Sequence, residues 1–380
     1  MSAAQYRVWI DRQPADRALY DRLETVTVEQ AMGMATEARL EFESCMDGRG
    51  IWKKGPSDPI ARAWRRVRVE VKHGGGAWTP LIDGPIVAWN ASMSGEAGRS
   101  MLTVTVHDDS ALLDKMKLRP DIKWENKTPK QVAQTLLEGY DAVIDEIVPA
   151  PSDRPEQFMV IGTPMQVLLS LTRAFGVFVY VKPGETVDDR SRAFVKKIEV
   201  DKPPAFPPLI LVGPKRNIDS FDTRSDALFN NRFAASRLNL SDMSVVTFTS
   251  SWKDVDLLAD EPLLDDPEDL GFDMTDPVDA QAYDLMALGT ANQQRVSFTL
   301  TGSGTVRTGC YSGVLEPYET ILVGGVDAKT ATKYTIRDVT HSLGRSTYEQ
   351  SFTLMGNAVF KLDENGHPVP TEPAGIGMRG

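Results

Sequence analysis

Arg66-Val67-Arg68-Val69-Glu70-Val71-Lys72 decides the class of fold. Valine takes every second position and charged residues take the rest. A period of two is the repeat of an extended strand, and one apolar face with one polar face is the pattern of a half-buried antiparallel strand. The same alternation precedes it in Arg39-Leu40-Glu41-Phe42-Glu43 and follows it in Leu102-Thr103-Val104-Thr105-Val106. Gly74-Gly75-Gly76 supplies a turn between strands. Short strands at this spacing imply a small barrel or sandwich over residues 1–115.

Beyond this block the pattern changes. Thr128-Pro129 opens a helix, with threonine as cap and proline at the first helical position, where a missing N–H costs nothing. Val132, Leu136 and Leu137 form its buried stripe and Gly139 stops it. Thr163-Pro164 repeats the grammar, with Val167, Leu168, Leu171 and Phe175 as the stripe and Gly176 as the stop. Val177-Phe178-Val179-Tyr180-Val181 is apolar on both faces and reads as a central strand. Pro203, Pro204, Pro207, Pro208 and Pro214 make 199–214 a stiff extended crossing. A third helix is expected with Asp276 as cap and Pro277 at its start. Ala282, Leu285, Met286 and Leu288 would be buried and Gly289 would end it. Strands then resume, with Val296, Phe298 and Leu300 alternating, and the Pro- and Gly-rich last twenty residues form a tail. An internal echo joins the two β blocks. Ile86 to His107 reads strand, Gly98-Arg99-Ser100, strand; Ile336 to Leu354 reads strand, Gly344-Arg345-Ser346, strand.

The resulting organisation is α+β, mostly β: two small antiparallel β-barrel domains with an inserted α/β element. The first barrel covers 1–115 and the insertion with its crossing 116–215. The second barrel covers 216–358, with an acidic loop and helix at 252–292, and the tail covers 359–380. At 380 residues, two or three domains are expected. No apolar run approaches a membrane span, and Met1 to Gln13 shows no secretory pattern. Cys45 and Cys310 read as free buried thiols of a reducing compartment.

Net charge is −11, and its location matters. Residues 254–279 hold eleven acids and no Lys or Arg, so the rest of the chain is balanced. That disfavours a dedicated nucleic-acid binder, which needs clustered positive charge. A calcium loop counted from Asp265 fails, because Pro267 takes a ligand position and Leu270 the glycine position. The segment reads as a solvated loop, or as one that docks on a basic patch of Lys53, Lys54, Arg62, Arg65, Arg66 and Arg68.

No nucleophile elbow, phosphate loop, zinc helix or paired-cysteine motif is present. Gly375-Ile376-Gly377-Met378-Arg379-Gly380 matches a dinucleotide string, but with no strand before it and no helix after it. His107-Asp108-Asp109 is a candidate metal corner, read as the polar end of a strand. No catalytic, cofactor or metal residues are therefore expected.

The order of these features resembles the late-control protein D family, the hubs of contractile phage tails, and the hub part of type VI secretion spike proteins. It is carried by Leu81-Ile82-Asp83-Gly84-Pro85-Ile86-Val87 with Leu102 to Asp108, and by Asn126 to Ala133 with Thr163 to Leu169. Two further stretches carry it: Ala280 to Leu288 with Val296 to Gly302, and Tyr334 to Ser342. The resemblance implies a structural, non-enzymatic baseplate hub: a homotrimeric ring whose six barrels adapt a hexameric tail tube to a trimeric spike. It implies as partners other copies of the chain, the tail tube protein, a separate spike protein and baseplate wedge proteins, with DNA as a transient passenger. The location would be the virion tail baseplate, assembled in the host cytoplasm. Unlike fused family members the sequence carries no spike domain up to residue 380, so a separate spike is expected, and it would meet the tail at Phe360, Leu362, Pro368 and Pro370. Two other functions fit the same residues: a ligand- or glycan-binding β protein, which needs an open aromatic cluster, and a baseplate cell-wall hydrolase, which needs paired carboxylates or a metal.

Overall fold

The computed structural model describes residues 5–47, 49–53, 55–73, 76–96, 98–118, 128–144, 162–227, 232–238, 242–250, 255–264, 272–274, 285–307 and 309–364. One 13-stranded sheet runs through both β blocks. The first block supplies β1 (Gln5–Ile10), β2 (Leu23–Ala31), β3 (Glu37–Glu43), β4 (Arg66–Lys72), β5 (Thr79–Ser92) and β6 (Met101–His107). These lie in the order β2-β3-β6-β5-β4-β1.

The α/β element follows. It comprises α1 (Ser110–Lys115), α2 (Pro129–Leu136), β7 (Asp141–Ile144), α3 (Pro164–Phe175), β8 (Phe178–Lys182) and β9 (Arg192–Lys196). Both Thr-Pro starts are reciprocal capping boxes. Thr128 Oγ1 accepts from Gln131 N while Thr128 N donates to Gln131 Oε1, and Thr163 with Gln166 repeats this. Gly176 caps α3 at φ +66°, a left-handed conformation suited to glycine. The first of these helices ends at Leu136, before the expected Gly139. Val132, Leu137, Val167 and Leu168 are buried as expected.

The second β block supplies β10 (Leu209–Ile210), β11 (Ile218–Ser225), β12 (Arg232–Leu238), β13 (Val245–Thr249), β14 (Phe272–Met274), α4 (Leu285–Ser297), β15 (Leu300–Val306), β16 (Thr320–Gly324), β17 (Lys333–Gly344) and β18 (Tyr348–Gly356). Strands β12 to β14 form a separate small sheet. The other six lie in the order β11-β15-β18-β17-β16-β10.

That order is the order of the first block, strand for strand. The correspondence extends to irregularities. A bulge separates Ile86 from Ala88 in β5 and Ile336 from Asp338 in β17; another separates Leu23 from Thr25 in β2 and Ile218 from Ser220 in β11. Ahead of β4 and β16 stand Trp64 at φ +67° and Tyr318 at φ +71°. Trp64 N donates to Ile86 O, and Tyr318 N to Ile336 O. Four such coincidences in register make the short Gly-Arg-Ser echo one visible part of a duplicated plan. The exception is the last pair, antiparallel for β1–β4 and parallel for β10–β16.

The two units share their sheet because β17 pairs with β2, from Asp338 opposite Ala31 to Gly344 opposite Thr25. Each unit wraps its own core. Val8 on β1 and Val26 and Val28 on β2 meet in one cluster, as do Leu209 on β10 and Ile218 on β11 in the other. The two expected barrel-like units are thus two wrapped units of one large antiparallel sheet, and in the second the sheet edges meet where Asn217 N, next to β11, donates to Ile210 O on β10.

Several local readings are corrected. The apolar strand around Val179 is not central: β8 lies at the edge of the order β7-β9-β8. Its second face is covered by tertiary packing instead, with Tyr180 stacked on Phe194 at 4.8 Å and on Tyr318 at 3.8 Å. Gly289 does not end a helix. It lies inside α4, where any Cβ would fall 2.0 Å from Phe248 Cε1. Val296 is in that helix too, and the next strand starts at Leu300. Leu285 and Leu288 are buried but Met286 is exposed, and the expected cap Asp276 with Pro277 and Ala282 lies outside the described residues. Cys45 and Cys310 are free but exposed. The first sits in a two-residue strand, Cys45–Met46, beyond the sheet core, and the second in a turn after β15.

Candidate assembly surface

Side chains on the alternate positions facing away from the core form a continuous polar surface across the sheet. Thr27 lies opposite Arg39 and Ser342, Arg39 opposite Thr105, Glu29 opposite Thr340, and Asp222 opposite Ser303. Directly opposed residues share a face, so this surface crosses from one unit to the other without a break. It carries Glu29, Glu37, Glu41, Glu43, Asp222, Asp338 and Glu349 against Arg39 and Arg224, an acidic excess.

Where the units join, the core side holds a buried histidine. His341 is fully buried opposite Val28. Gln30 Nε2 donates to Leu81 O, which turns Gln30 Oε1 toward His341 Nε2 at 3.3 Å, and Nδ1 lies 3.0 Å from Tyr348 Oη. A neutral imidazole satisfies both, donating from Nε2 and accepting from the phenol. Burial pushes its pKa down to about 3. The folded state therefore holds no proton here while the unfolded chain takes one below its ordinary value of 6.5. Stability is present above that value and lost as pH falls toward 3, at about 1.4 kcal/mol per pH unit for this group. His341→Gln should reduce the slope of the urea midpoint between pH 6.5 and 4 relative to wild type; parallel slopes would refute the assignment.

Of the expected basic patch, Arg62 is exposed, whereas Arg65, Arg66 and Arg68 are taken up by ion pairs. Arg68 is 1% exposed, between Glu70 at 2.8 Å and Asp83 at 3.1 Å. Arg66 pairs with Asp83 at 2.7 Å and Asp109 at 2.8 Å, and Arg65 with Asp11 at 2.7 Å. Lys54 lies outside the described residues. The polar face of β4 is covered because the α/β element lies on it: Arg68 donates to Glu185 O at 3.0 Å, and Arg66 to Ser191 Oγ at 3.2 Å. Burial raises the Asp83 carboxyl above its ordinary value even with two arginines beside it. On Glu70 burial acts in the same sense, but hydrogen bonds from Arg7, Arg68 and Trp9 together outweigh it and hold the carboxyl low. Asp83 Oδ1 has the Arg66 ion pair but no hydrogen bond, and the other contacts make the cluster a clamp between two parts of the chain.

The His107-Asp108-Asp109 corner also disperses. His107 faces Glu37 at 3.1 Å, Asp108 accepts from Thr36 N and Ser110 N, and Asp109 holds Arg66 and Ser191. Among the described residues no three His, Cys, Asp or Glu side chains converge as metal ligands. The calcium loop counted from Asp265 to Leu270 lies outside the described residues. A cleft of about 540 Å³ between the α/β element and the sheet is lined by Tyr180, Lys182, Glu199, Lys202, Glu316 and Tyr318. Its charges are paired, Lys182 with Glu316 at 2.5 Å and Lys202 with Glu319 at 2.9 Å. Tyr180 has one ring stacked on each side, so it offers no open face to a sugar.

Of the expected spike-contacting residues, Phe360 is buried, Leu362 is exposed, and Pro368 and Pro370 lie outside the described residues. The chain leading to them is tied to the start of the acidic segment. Ala358 and Val359 pair with Pro262 and Glu261, and Lys361 N donates to Asp260 Oδ2.

Residues the sequence reading missed are Trp64, Trp89 and Met93, at 58%, 46% and 49% exposure. Trp89 lies on the second half of β5, Met93 just past its end, and Trp64 beside it, with Trp64 N donating to Ile86 O. The alternation of Trp89, Ala91 and Met93 was the available signal.

No protein-family model matches the chain, and no curated protein sequence matches it. Solved structures do. A 43 kDa tail protein of prophage MuSo2 from Shewanella oneidensis superposes with a TM-score of 0.66 at 14% identity, over 93% of this chain and 98% of that one. A tail protein from Neisseria meningitidis MC58 gives 0.62 at 13%, over 94% and 98%. An E. coli component of the type VI secretion system, which exhibits structural similarity to the T4 bacteriophage tail proteins gp27 and gp5, gives 0.53 at 13%, over 92% and 76%. Over nearly its whole length, then, the chain has the fold of phage tail proteins and of that secretion component.

Proposed function

We propose that the chain is a structural, non-catalytic hub subunit of a tail baseplate or related injection machine. The observation that carries this is the duplicated unit. A subunit with two near-equivalent units can form a three-fold ring that offers six similar surfaces on one side and three on the other. Such a ring adapts a hexameric tube to a trimeric spike, and wedge proteins would pack outside it. The continuous polar face would line the conduit. Its acidic excess suits a passenger such as DNA, which must slide without being held. The tail beyond Leu362 would point to the spike. The fold shared with tail proteins supports this reading, as do the paired charges of the cleft and the two rings stacked on Tyr180 within it.

Light scattering on the purified chain, alone and with a candidate spike protein, tests it. A mass three times that of the chain is expected, with a further shift on adding the spike. A monomer under both conditions, or a ring of six copies, would overturn the proposal.

A further inference from the structure

A second cavity, of about 570 Å³, lies between α3, α4 and the start of β8, and its chemistry is the opposite of the polar cleft. Leu169 on α3, Val177 and Val179 at β8, Ala287 and Ala291 on α4, and Phe298 make its walls apolar. The polar side chains among them are already used by the fold. Thr172 Oγ1 donates to Leu169 O, and Gln294 accepts from Asp256 N and donates to Asp256 O. What is left for an occupant is apolar surface.

The sequence of α4 explains why the groove stays open. One side of the helix is spent inside the fold: Leu285 and Leu288 are buried, and Gly289 gives room to Phe248. Met286, Thr290 and Gln294 follow at the i, i+4 spacing of a second stripe, and this one runs along the cavity. From Met286 to Gln294 it covers about 12 Å of helix. The floor is made of small residues. A Cβ on Gly176 would lie 3.0 Å from Ala291 Cβ, so the end of α3 touches α4 there with no large side chain between them. Met286 and Leu169 stand on the two lips, 66% and 43% exposed. Large apolar groups held in water beside an apolar cavity mark a surface that a partner covers. The charges on the described rim are Lys197, Arg295 and Asp256, a positive balance, and Arg295 is exposed with no acid paired to it among the described residues.

We infer that this groove takes an amphipathic helix of another protein, with its apolar stripe turned inward and an acidic residue set against Arg295. Two helices with small residues between them accept the large side chains of a third helix, whose axis then approaches to about 8–10 Å. An extended strand fits less well. The backbone groups of α3 and α4 are bonded within their own helices, so a strand laid against them would lose hydrogen bonds that a helix keeps to itself. A single copy carries the whole groove, so the site does not depend on a ring.

The test is binding of a synthetic helix to the full chain, followed by fluorescence anisotropy. The probe is a labelled peptide of about 14 residues with leucine at alternating spacings of three and four and glutamate and alanine between, and its scrambled isomer is the control. Saturable binding of the probe, and none of the isomer, is expected. Leu169→Gln combined with Met286→Gln, both at exposed sites, should weaken it about tenfold or more. Thr290→Trp, which fills the groove, should do the same. Arg295→Glu should weaken it at low salt and less at high salt. Val212→Gln, which removes an exposed apolar group outside the groove, should bind as wild type. Thermal melting checks that each variant keeps its fold. No saturable binding, or binding that the groove variants leave unchanged, would overturn the inference. Binding of laurate with the same dependence on Met286, and none of the peptide, would make the occupant an acyl chain and overturn the helix.

Discussion

Gly84→Ala should fail to give a stable protein, although it adds a single methyl group. Gly84 sits in β5 where the chain leaving β6 crosses it. A Cβ there would lie 1.9 Å from the carbonyl oxygen of His107 and 2.9 Å from Asp108 Cα. Both neighbours are backbone and both are held. His107 pairs in register with Glu37, and Asp108 is anchored by Thr36 N and Ser110 N. The clash cannot be relieved by a rotamer change, so a strand must move. Gly84 is paired with Val67 on its other side, so the move would also disturb β4. Overpacking of a held site costs about 3 kcal/mol or more. The expected readout is a large fall in the urea midpoint or loss of soluble protein. A control at Gly95, where a Cβ meets nothing within 4 Å, should behave as wild type. Equal stability of the two variants would show that the crossing is looser than described.

The contrast between these glycines shows how much of the fold was legible in sequence. What depends on neighbours along the chain was readable: the alternation of β4 and β6, both Thr-Pro-x-Gln capping boxes, and the αL stop at Gly176. What depends on distant partners was not. The alternation of Arg66 to Lys72 indicated a strand and predicted a solvated polar face. That face is buried, because Asp83, Asp109 and the carbonyl of Glu185 arrive from elsewhere to match it. Val177 to Val181 was apolar on both faces for a reason unrelated to sheet position, namely the rings of Tyr318 and Phe194. Gly289 was read as punctuation when its role is room for Phe248. The duplicated plan left only Gly-Arg-Ser in the sequence, because the two units match in bulge positions and hydrogen-bond register, and many side chains satisfy one register.

The buried clamp yields the second large effect. Arg68→Ala should destabilise the protein by about 3–5 kcal/mol, the usual cost of stranding buried charges. Arg68 is the one group that touches Glu70, Asp83 and Glu185 O together. Without it Glu70 keeps Arg7 and Trp9, and Asp83 keeps Arg66, but each loses a charged donor in a site almost closed to water. The carbonyl of Glu185 loses its donor as well, so the loop between β8 and β9 should come away from the sheet. Two measurements separate clamp from filler. Chemical denaturation should rank wild type above Arg68→Lys above Arg68→Ala, because an ammonium keeps the charge but cannot span three acceptors as a planar fork does. Hydrogen exchange should rise first at residues 184–190 in both variants, before the rest of the α/β element. If Arg68→Lys matches wild type, the fork geometry is irrelevant and only charge matters. If exchange at 184–190 stays unchanged in Arg68→Ala, the clamp does not hold the α/β element to the sheet.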